Sequence, residues 1–531
     1  MIEKVMMTPK PWSLLLSGML LLAWLIPAHG QRGNPRMQFE GQTIDEMIEQ
    51  FMAEHQIPGM TLAIVQAPYI PRSVGYGMSD VSRELLASPN TLWNIGQMAR
   101  AFTAVAIVQL LEDGKLKLED PVGKILPDLP SAWQGITVKQ MMAHVSGLPD
   151  YTKQKDFDPA REYQPSEIIA LVKDSPLVFP SGTQAADSAT DFFLLGLVVE
   201  KASGMSYEAF VTKNQIERLG LKNTMFAADF TRLKREAVEK NEMKHKQFLV
   251  ERPYIDPTEV AVGYASDDDK MVPVKPNSQS AWLGNGSVFA SATDISLWDI
   301  GLAGGLLIKD KGNRDLIYGP IMLNDGTKLP ANCGWRFPAH KGLMDIEGHV
   351  PGFSTYLSRF TDKSELVCVT LCANKDGVDL SGLARKIAGA YNRKLGPPVG
   401  PKVMTCRESC YPAKVTMDRL ESFLRGKEVG IIARVDHAAA AKTKGLEMSP
   451  TEVLIFGDPA MDTPLMLSQQ SMAIDLPLRV MVWQEEDGTV WTGHHDVFEL
   501  ARQHDVIDQD QLIRAINKRL ESALRHATAP Y

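Results

Sequence analysis

The chain has 531 residues, of which 44% are hydrophobic and 23% are charged, a composition that suits a globular protein of roughly two to four domains. Its 64 acidic residues outnumber its 56 basic residues, so the formal net charge is -8. An acidic chain of this kind argues against nucleic-acid binding, which requires a basic face.

The N-terminus has the pattern of an export signal. Lys4 and Lys10 precede or flank an apolar run, residues 12–27, that contains no charged side chain. Ala28 and Gly30 then place small residues at the positions that a signal peptidase reads. We predict a signal peptide over residues 1–30 and a periplasmic or secreted protein. The alternative is an uncleaved signal that anchors the protein in a membrane, although the run is short for a comfortable span.

A first globular domain is predicted over residues 39–395, where helix-like and strand-like segments follow one another. Strands are predicted at 61–66 and 366–372, and helices at 101–111, 192–199 and 380–391. Strands near both ends of a domain, with helices between them, predict one sheet built from both ends. Residues 229–280 are charged and contain proline, so they are predicted as loops or as an excursion from the domain.

A cluster of proline and glycine at residues 396–401 predicts a linker over 396–415. The second domain, 416–531, is predicted as a compact α+β module. Its predicted strands are 429–435, 452–456 and 478–483, and its predicted helices are 416–424, 497–504 and 511–526. Asp487-Gly488 between strand-like runs predicts a hairpin. The fold class is therefore multidomain, with an α/β domain followed by an α+β domain.

The chain has five cysteines: Cys333, Cys368, Cys372, Cys406 and Cys410. Cys368 and Cys372 lie in a strand-like run and would share one of its faces as small buried residues. Cys406 and Cys410 lie close together in a polar stretch and could close a local disulfide in an exported protein. Neither a Cys-x-x-Cys pair nor a His cluster with zinc spacing is present, so we predict no metal and no cofactor.

Three stretches of the first domain are typical of one enzyme superfamily. They are 112–122 (Glu-Asp-Gly-Lys-Leu-Lys-Leu-Glu-Asp-Pro-Val), 141–149 (Met-Met-Ala-His-Val-Ser-Gly-Leu-Pro) and 348–354 (Gly-His-Val-Pro-Gly-Phe-Ser). Over residues 43–395 the chain resembles the serine β-lactamase, penicillin-binding protein and esterase superfamily. The resemblance implies a mixed α/β domain in which helices flank an antiparallel sheet.

The resemblance also implies a catalytic serine at a helix start and a lysine three residues later, about one turn away on the same face. In that family the lysine takes the serine's proton and the serine attacks a carbonyl. Here Gln97 occupies the serine position and Arg100 the lysine position. An amide is not a useful nucleophile, and a guanidinium stays protonated and cannot act as a base. No lysine in the chain has a serine three residues before it, so the motif is absent rather than displaced.

Two further family elements are also altered. At the Tyr-x-Asn element, Asp187 takes the tyrosine position and Ala189 the asparagine position. At the late Lys- or His-x-Gly strand, His349 is followed at once by Val350 and Pro351, so the stretch is shortened and the alignment of His349 is open. Pro351 has no N–H to offer to an oxyanion. Three altered elements in one chain indicate lost chemistry.

The replacements at the former lysine and tyrosine positions carry opposite charges. We predict that Arg100 and Asp187 form an ion pair across the former catalytic floor, where bidentate geometry would suit an arginine. The alternative is two unrelated solvated charges. Ser146, Ser181 and Ser188 lie near the expected pocket but have no predicted base, so we interpret them as capping or turn residues.

The second domain resembles the family known as domain of unknown function 302. The matching stretches are 433–440 (Ala-Arg-Val-Asp-His-Ala-Ala-Ala), 454–459 (Leu-Ile-Phe-Gly-Asp-Pro), 463–466 (Thr-Pro-Leu-Met) and 475–478 (Asp-Leu-Pro-Leu), with Trp483 and 487–491. The resemblance implies a small α+β fold, often associated as dimers, and no established activity. Residues 494–497 (His-His-Asp-Val) depart from the usual Tyr-Asn-Asp-Pro.

Several polar residues of the second domain invite a ligand site. Asp436 and His437, at a strand end, are tentative binding residues, and His494, His495 and His504 lie further along. Metal-ligand spacing is missing, so capping, turn and surface roles are favoured. The proline-rich loop predicted at 457–477 carries three methionines that could line a pocket, although core packing is their commoner use: Met461, Met466 and Met472.

The altered motifs predict a non-catalytic, exported pseudoenzyme that uses the old cleft for binding. Gln97, Arg100 and Asp187 are its candidate binding residues, and a cell-wall peptide or a protein partner is its candidate ligand. One alternative is a serine hydrolase of the β-lactamase, peptidase or esterase class with a rearranged active site. Another is that the second domain carries the function, by capturing a ligand or by assembling a homo-oligomer.

Overall fold

The structure is a computed structural model that describes residues 34, 36–66, 69–231, 233, 258–267, 270–338, 342–361, 366–398 and 404–530. The predicted signal peptide lies outside the described residues. So do residues 234–257 of the predicted loop segment, residues 399–403 of the predicted linker and the last residue of the predicted second domain. Within the described ranges, no helix combines the length and the apolar character needed to cross a membrane.

An antiparallel eight-stranded sheet organises the first part of the chain. Its strands, in spatial order, are Ala331–Asn332, Trp335–Arg336, Leu343–Val350, Phe353–Phe360, Val367–Ala373, Gly59–Gln66, Tyr69–Asp80 and Leu85–Leu86. The early strand Gly59–Gln66 pairs with the late strand Val367–Ala373. The prediction of one sheet built from both ends of this region is therefore confirmed.

Both faces of this sheet are covered because its central strands are apolar on both sides. Met60, Leu62 and Ile64 pack into one core, which includes the helices Ile44–Glu54 and Ser381–Tyr391. The alternate residues Ala63 and Val65 join a second core with the helix Ala99–Glu112. That helix buries twelve of its fourteen residues, as expected for a helix that is apolar on all sides.

The three predicted helices of this region lie close to their predicted positions, and nine further helices among the described residues had not been predicted. Together they are Ile44–Glu54, Ala99–Glu112, Val122–Ile125, Val138–Met142, Pro165–Ala170, Ala189–Ser203, Tyr207–Val211, Glu217–Leu219, Gln279–Gly286, Ala292–Ala303, Lys311–Tyr318 and Ser381–Tyr391. Short strands pair outside the large sheet: Gln38–Phe39 with Gln42–Thr43, Val288–Ala290 with Trp93–Asn94 and Thr224–Phe226, Ile321–Met322 with Lys328–Leu329, and Tyr264–Asp267 with Lys270–Pro273. The last pair corrects the prediction of loops over 229–280.

A second, five-stranded antiparallel sheet organises residues 404–530. Its spatial order is Met404–Ser409, Val490–His495, Leu478–Gln484, Thr451–Gly457 and Gly430–Asp436, and its helices are Ala413–Gly426, His437–Lys442, Pro459–Ser468, Val497–Gln503 and Asp510–Thr528. The predicted hairpin at Asp487-Gly488 is confirmed, since Leu478–Gln484 pairs with Val490–His495 and Gly488 has a φ of 92°.

Two segments of this region differ from their predictions. Met404–Ser409, assigned to the linker, is an edge strand paired with Val490–His495. Pro459–Ser468, assigned to a loop, is a helix in which Asp458 caps the N-terminus and Pro459 occupies the first turn. Proline is well suited to that position because it lacks a backbone N–H, and an N–H in the first turn would have no partner within the helix.

The cysteines of the described chain are all free thiols. Cys368 and Cys372 are buried in the same core, as predicted for one face of a strand. The local disulfide between Cys406 and Cys410 is not formed. Cys406 lies in an extended strand, and four residues of extended chain span ~13 Å, far beyond the reach of a disulfide.

The two sheet regions meet around a buried arginine. The Arg385 guanidinium lies 5.0 Å from the centre of the Phe360 ring and 5.2 Å from the centre of the Trp491 ring. Its Nη2 lies 3.3 Å from Oε2 of Glu408. Arg407 pairs with Asp379 beside it. This seam therefore joins side chains from both sheets in one charged and aromatic cluster.

Candidate functional site

Gln97, which the resemblance places at the family's nucleophile position, lies in a short 3₁₀ turn, Gly96–Met98, that leads into the buried helix Ala99–Glu112. Gly96 has a φ of 55°, and a Cβ there would lie 2.8 Å from the backbone N of His349. This close approach brings Gln97 against the strand Leu343–Val350. The side-chain Oε1 of Gln97 accepts a hydrogen bond from the His349 N–H. A carbonyl oxygen entering the cleft would find that donor already occupied.

Arg100 holds the floor of the cleft together. It is 4% exposed. Its Nη1 lies 2.7 Å from Oδ1 of Asp187, which confirms the predicted ion pair. The contact involves one nitrogen and one oxygen rather than a bidentate fork, because Nε donates to Asn285 Oδ1 at 2.8 Å. Nη1 also lies 3.2 Å from Nε2 of His144.

The pair leaves Asp187 ionised. Burial would raise the pKa of its carboxyl, but the positive charge of Arg100 and the contact between the two groups hold that pKa below its ordinary value. The Asp187 side chain keeps 38% of its surface exposed, against 5% for Arg100. One face of the carboxylate therefore remains accessible to a ligand while the other is bound to the protein.

A buried His144–Asp191 pair extends this chain of contacts. His144 Nδ1 lies 3.0 Å from Asp191 Oδ2, and both side chains are fully buried. Because arginine can only donate, Nε2 of His144 accepts from Arg100, and Nδ1 carries the proton that faces Asp191. Burial raises the pKa of Asp191, and the hydrogen bond from His144 opposes that rise. Both ring nitrogens are thus engaged, and neither is free to act as a base.

Three residues contribute to the site without having been predicted as site residues: His144, Asp191 and Asn285. His144 was read as part of the family framework, and its partners Arg100 and Asp191 lie 44 and 47 residues away along the chain. Asp191 did carry a signal, since it is a charged residue at the start of the otherwise apolar helix Ala189–Ser203. Asn285 lies 185 residues from Arg100, and no local pattern marks it.

The neighbouring serines take structural positions. Ser146 Oγ accepts from the Leu148 N–H at 3.0 Å, and Ser181 Oγ donates to the Ser146 carbonyl at 2.6 Å, so both are turn residues as predicted. Ser188 occupies the N-cap of Ala189–Ser203, but its hydroxyl makes no capping bond. Ala189 is 2% exposed and brings no polar group to the cleft.

The side chain of His349 points away from this cleft. Its neighbours Gly348 and Val350 face the helix start, because strand side chains alternate, and His349 therefore lies on the other face with Glu347. Its Nδ1 lies 3.3 Å from Ser354 Oγ, and Nε2 lies 3.8 Å from Glu347. Burial and the charge of Arg525 lower its pKa. Only the backbone of His349 reaches the cleft, which the shortened sequence could not reveal.

The candidate binding residues of the five-stranded region do not lie at the cleft around Arg100. Asp436 accepts from the Ala439 N–H at 2.7 Å and caps the helix His437–Lys442, and both Asp436 and His437 are exposed. His494 and His495 end the strand Val490–His495, whereas His504 caps the helix Val497–Gln503. In the part of the chain that the structure describes, no cluster of His, Cys, Asp and Glu could hold a metal.

The three methionines of the predicted loop pack inward. Met472 is fully buried in the core of the five-stranded region. Met461 and Met466 are partly buried against the same core. The favoured reading of these residues as core packing is confirmed.

Comparison with protein families gives two matches. A family model described as Beta-lactamase matches residues 44–391, and one described as Domain of unknown function DUF302 matches residues 405–527. Protein flp of Staphylococcus aureus is 29% identical over 201 residues, which cover 37% of this chain and 40% of that protein. The match therefore spans less than half of the length of Protein flp.

Solved structures give the same picture of the fold. The octameric penicillin-binding protein homologue from Pyrococcus abyssi matches with a TM-score of 0.54 at 21% identity, covering 84% of this chain and 89% of that chain. The D-amino acid amidase from Ochrobactrum anthropi matches with a TM-score of 0.52 at 19% identity, covering 66% of this chain and 98% of that chain. At this level of identity the likeness establishes the fold.

Proposed function

The chain belongs to the Beta-lactamase family, and we propose that it is an exported member of that family in which the cleft around Arg100 does not catalyse a reaction and instead binds a ligand. The observation that carries the proposal is the state of Arg100. A buried guanidinium, tied to Asp187, Asn285 and His144, stands where the resemblance implies a proton-accepting lysine. A group that stays protonated cannot activate a nucleophile.

The polar groups at the cleft suit a peptide ligand. Asp187 presents a partly exposed carboxylate, which would attract an ammonium or amide N–H. Gln97 is partly buried and adds an amide beside it. A cell-wall stem peptide offers free amine and amide donors of this kind, and a peptide segment of a protein partner offers the same chemistry.

Covalent labelling tests the loss of chemistry. We expect the full chain to show no covalent adduct with a fluorescent penicillin above a heat-denatured control, while an active penicillin-binding protein labels fully in the same gel. Mapping any adduct by mass spectrometry decides the matter, because a stoichiometric adduct on a residue of the cleft would overturn the proposal.

Calorimetric titration with a synthetic cell-wall stem peptide tests the binding role. We expect D187N to weaken binding about 10-fold, as loss of a charge-assisted hydrogen bond of about 1.4 kcal/mol would do. D128N removes an exposed carboxylate elsewhere and should leave the affinity unchanged. Equal affinity of the wild type and D187N would remove Asp187 from the binding site.

We further propose that the five-stranded region assembles the protein into a homo-oligomer. The homologue from Pyrococcus abyssi is described as octameric, and it matches 84% of this chain. In this chain the strand Gly430–Asp436 lies at one edge of its sheet, so its outer N–H and C=O groups are available for pairing. Ile432 on that strand is 61% exposed.

A further inference from the structure

A Ser–His–Asp trio lies in the five-stranded region, away from the cleft. His504 Nδ1 lies 2.8 Å from Ser471 Oγ, and His504 Nε2 lies 2.8 Å from Asp475 Oδ2. Both ring nitrogens are thus engaged, one by a hydroxyl and the other by a carboxylate. None of these residues belongs to the cleft around Arg100.

The two contacts set the proton positions in the trio. A carboxylate can only accept, so Nε2 of neutral His504 carries the proton that it donates to Asp475. Nδ1 then has the free lone pair, and it accepts a hydrogen bond from the Ser471 hydroxyl. This is the relation between nucleophile, base and orienting carboxylate that activates a serine.

Ser471 is the solvent-exposed end of the trio, whereas His504 and Asp475 are largely covered. Ser471 is exposed, whereas the His504 side chain retains 14% of its surface and the Asp475 side chain 27%. The hydroxyl can therefore meet a dissolved substrate, while the base and the carboxylate are held in place beside it.

Exposed aliphatic residues lie within a few residues of the trio along the chain. Ser471 lies in the 3₁₀ turn Gln470–Ile474, where residues three apart share a face, so Ile474 lies on the side of Ser471. Ile474 is 73% exposed. Leu467, before the turn, is 81% exposed, and Ile507, after His504, is 87% exposed. Such surface favours an apolar acyl chain over a charged one.

We propose that Ser471, His504 and Asp475 form a nucleophilic site that hydrolyses small aliphatic esters. Ser471 Oγ forms a bond to the ester carbonyl carbon while His504 Nδ1 takes the hydroxyl proton. The bond to the alkoxy oxygen then breaks, and His504 gives the proton to the leaving alcohol. Water, deprotonated by the same nitrogen, attacks the acyl-serine and releases the carboxylic acid and free Ser471.

Ester turnover and covalent labelling of the full chain test this site together. With p-nitrophenyl butyrate we expect S471A and H504Q each to lower the rate about 100-fold, the contribution of a positioned base. A fluorophosphonate probe should label Ser471, as mapped by mass spectrometry. S468A is the matched control, because Ser468 lies three residues away and bonds to Asp508 instead of a histidine. Equal rates in the wild type and S471A, or labelling of another residue, would overturn the proposal.

A cysteine pair tests activation independently of turnover. A cysteine beside a histidine has a lowered pKa and alkylates faster at neutral pH. We expect S471C to react with iodoacetamide about 10-fold faster than S468C, and H504Q to remove the difference. Equal alkylation rates would show that the trio only ties the loop to its helix. The outcome is separable from penicillin labelling, which concerns the cleft around Gln97.

Discussion

Arg100 contacts three polar partners at the start of the buried helix Ala99–Glu112. Removing it would leave Asp187, Asn285 and His144 without their common donor inside the protein. We expect R100A to lower the free energy of unfolding in urea by about 3–5 kcal/mol, the usual cost of breaking a buried charge network. R218A, at an exposed arginine, should change it by less than about 0.5 kcal/mol. Equal effects of the two variants would show that Arg100 stabilises nothing.

The depressed pKa of Asp187 makes stability depend on pH. A carboxyl whose pKa is lower in the folded state stabilises the fold above its unfolded value, about 4, and loses that contribution as pH falls through the folded value. We expect D187N to have a lower Tm than the wild type at neutral pH and the gap to narrow below about pH 4. D128N should show no such trend, and a gap independent of pH would contradict the ion pair.

Single residues show how far the sequence alone could reach. The Arg100–Asp187 pair was predictable because opposite charges replaced two groups known to be neighbours. His144 and Asn285 were not, because a contact across 44 or 185 residues leaves no local pattern. His349 was placed in the site from its motif, but the shortened stretch hid which face of the strand its side chain takes.

At the scale of elements, long apolar segments were predictable and short polar ones were not. The buried helix Ala99–Glu112 and the strand Val367–Ala373 are both marked by hydrophobic runs. Such a run is visible in the sequence whatever elements it packs against. Met404–Ser409 contains four polar residues and no β-branched aliphatic residue, and its partner strand Val490–His495 lies far along the chain. Such a strand forms because its partner strand is present, and its own sequence carries no clear strand pattern. The prolines and glycines at 396–401 therefore favoured the prediction of a linker.

The close approach of Gly96 to the strand Leu343–Val350 gives a prediction at the element scale. Gly96 and Gly114 both have positive φ, 55° and 66°, but a Cβ on Gly114 would meet nothing within 4 Å. We expect G114A to cost about 1 kcal/mol of unfolding free energy, the conformational cost alone. G96A should cost at least about 1 kcal/mol more, because its Cβ would meet the backbone at His349. Urea denaturation measures the unfolding free energies of G96A and G114A. Equal decreases in the two variants would mean that Gly96 and the strand Leu343–Val350 can move apart at no cost.

At the scale of the whole molecule, the strand Gly430–Asp436 presents a sheet edge that could pair with a second copy of the chain. If Gly430–Asp436 pairs with another copy, a charge in its middle should disrupt the assembly, as lysines do on natural sheet edges. We expect I432K to reduce the molar mass measured by light scattering toward that of a monomer. L86K places the same charge on an exposed leucine at the edge of the other sheet and should leave the mass unchanged. An I432K protein of unchanged mass would place the interface elsewhere.

The bond between Gln97 and the His349 backbone also limits what a single substitution in the cleft can achieve. The Gln97 side chain occupies a backbone donor, and Arg100 contacts three polar partners. A change to serine at position 97 or to lysine at position 100, made alone, would remove those contacts without supplying the other half of a Ser-x-x-Lys pair. The two positions are therefore coupled, and a redesign of the cleft toward hydrolysis has to replace both residues together.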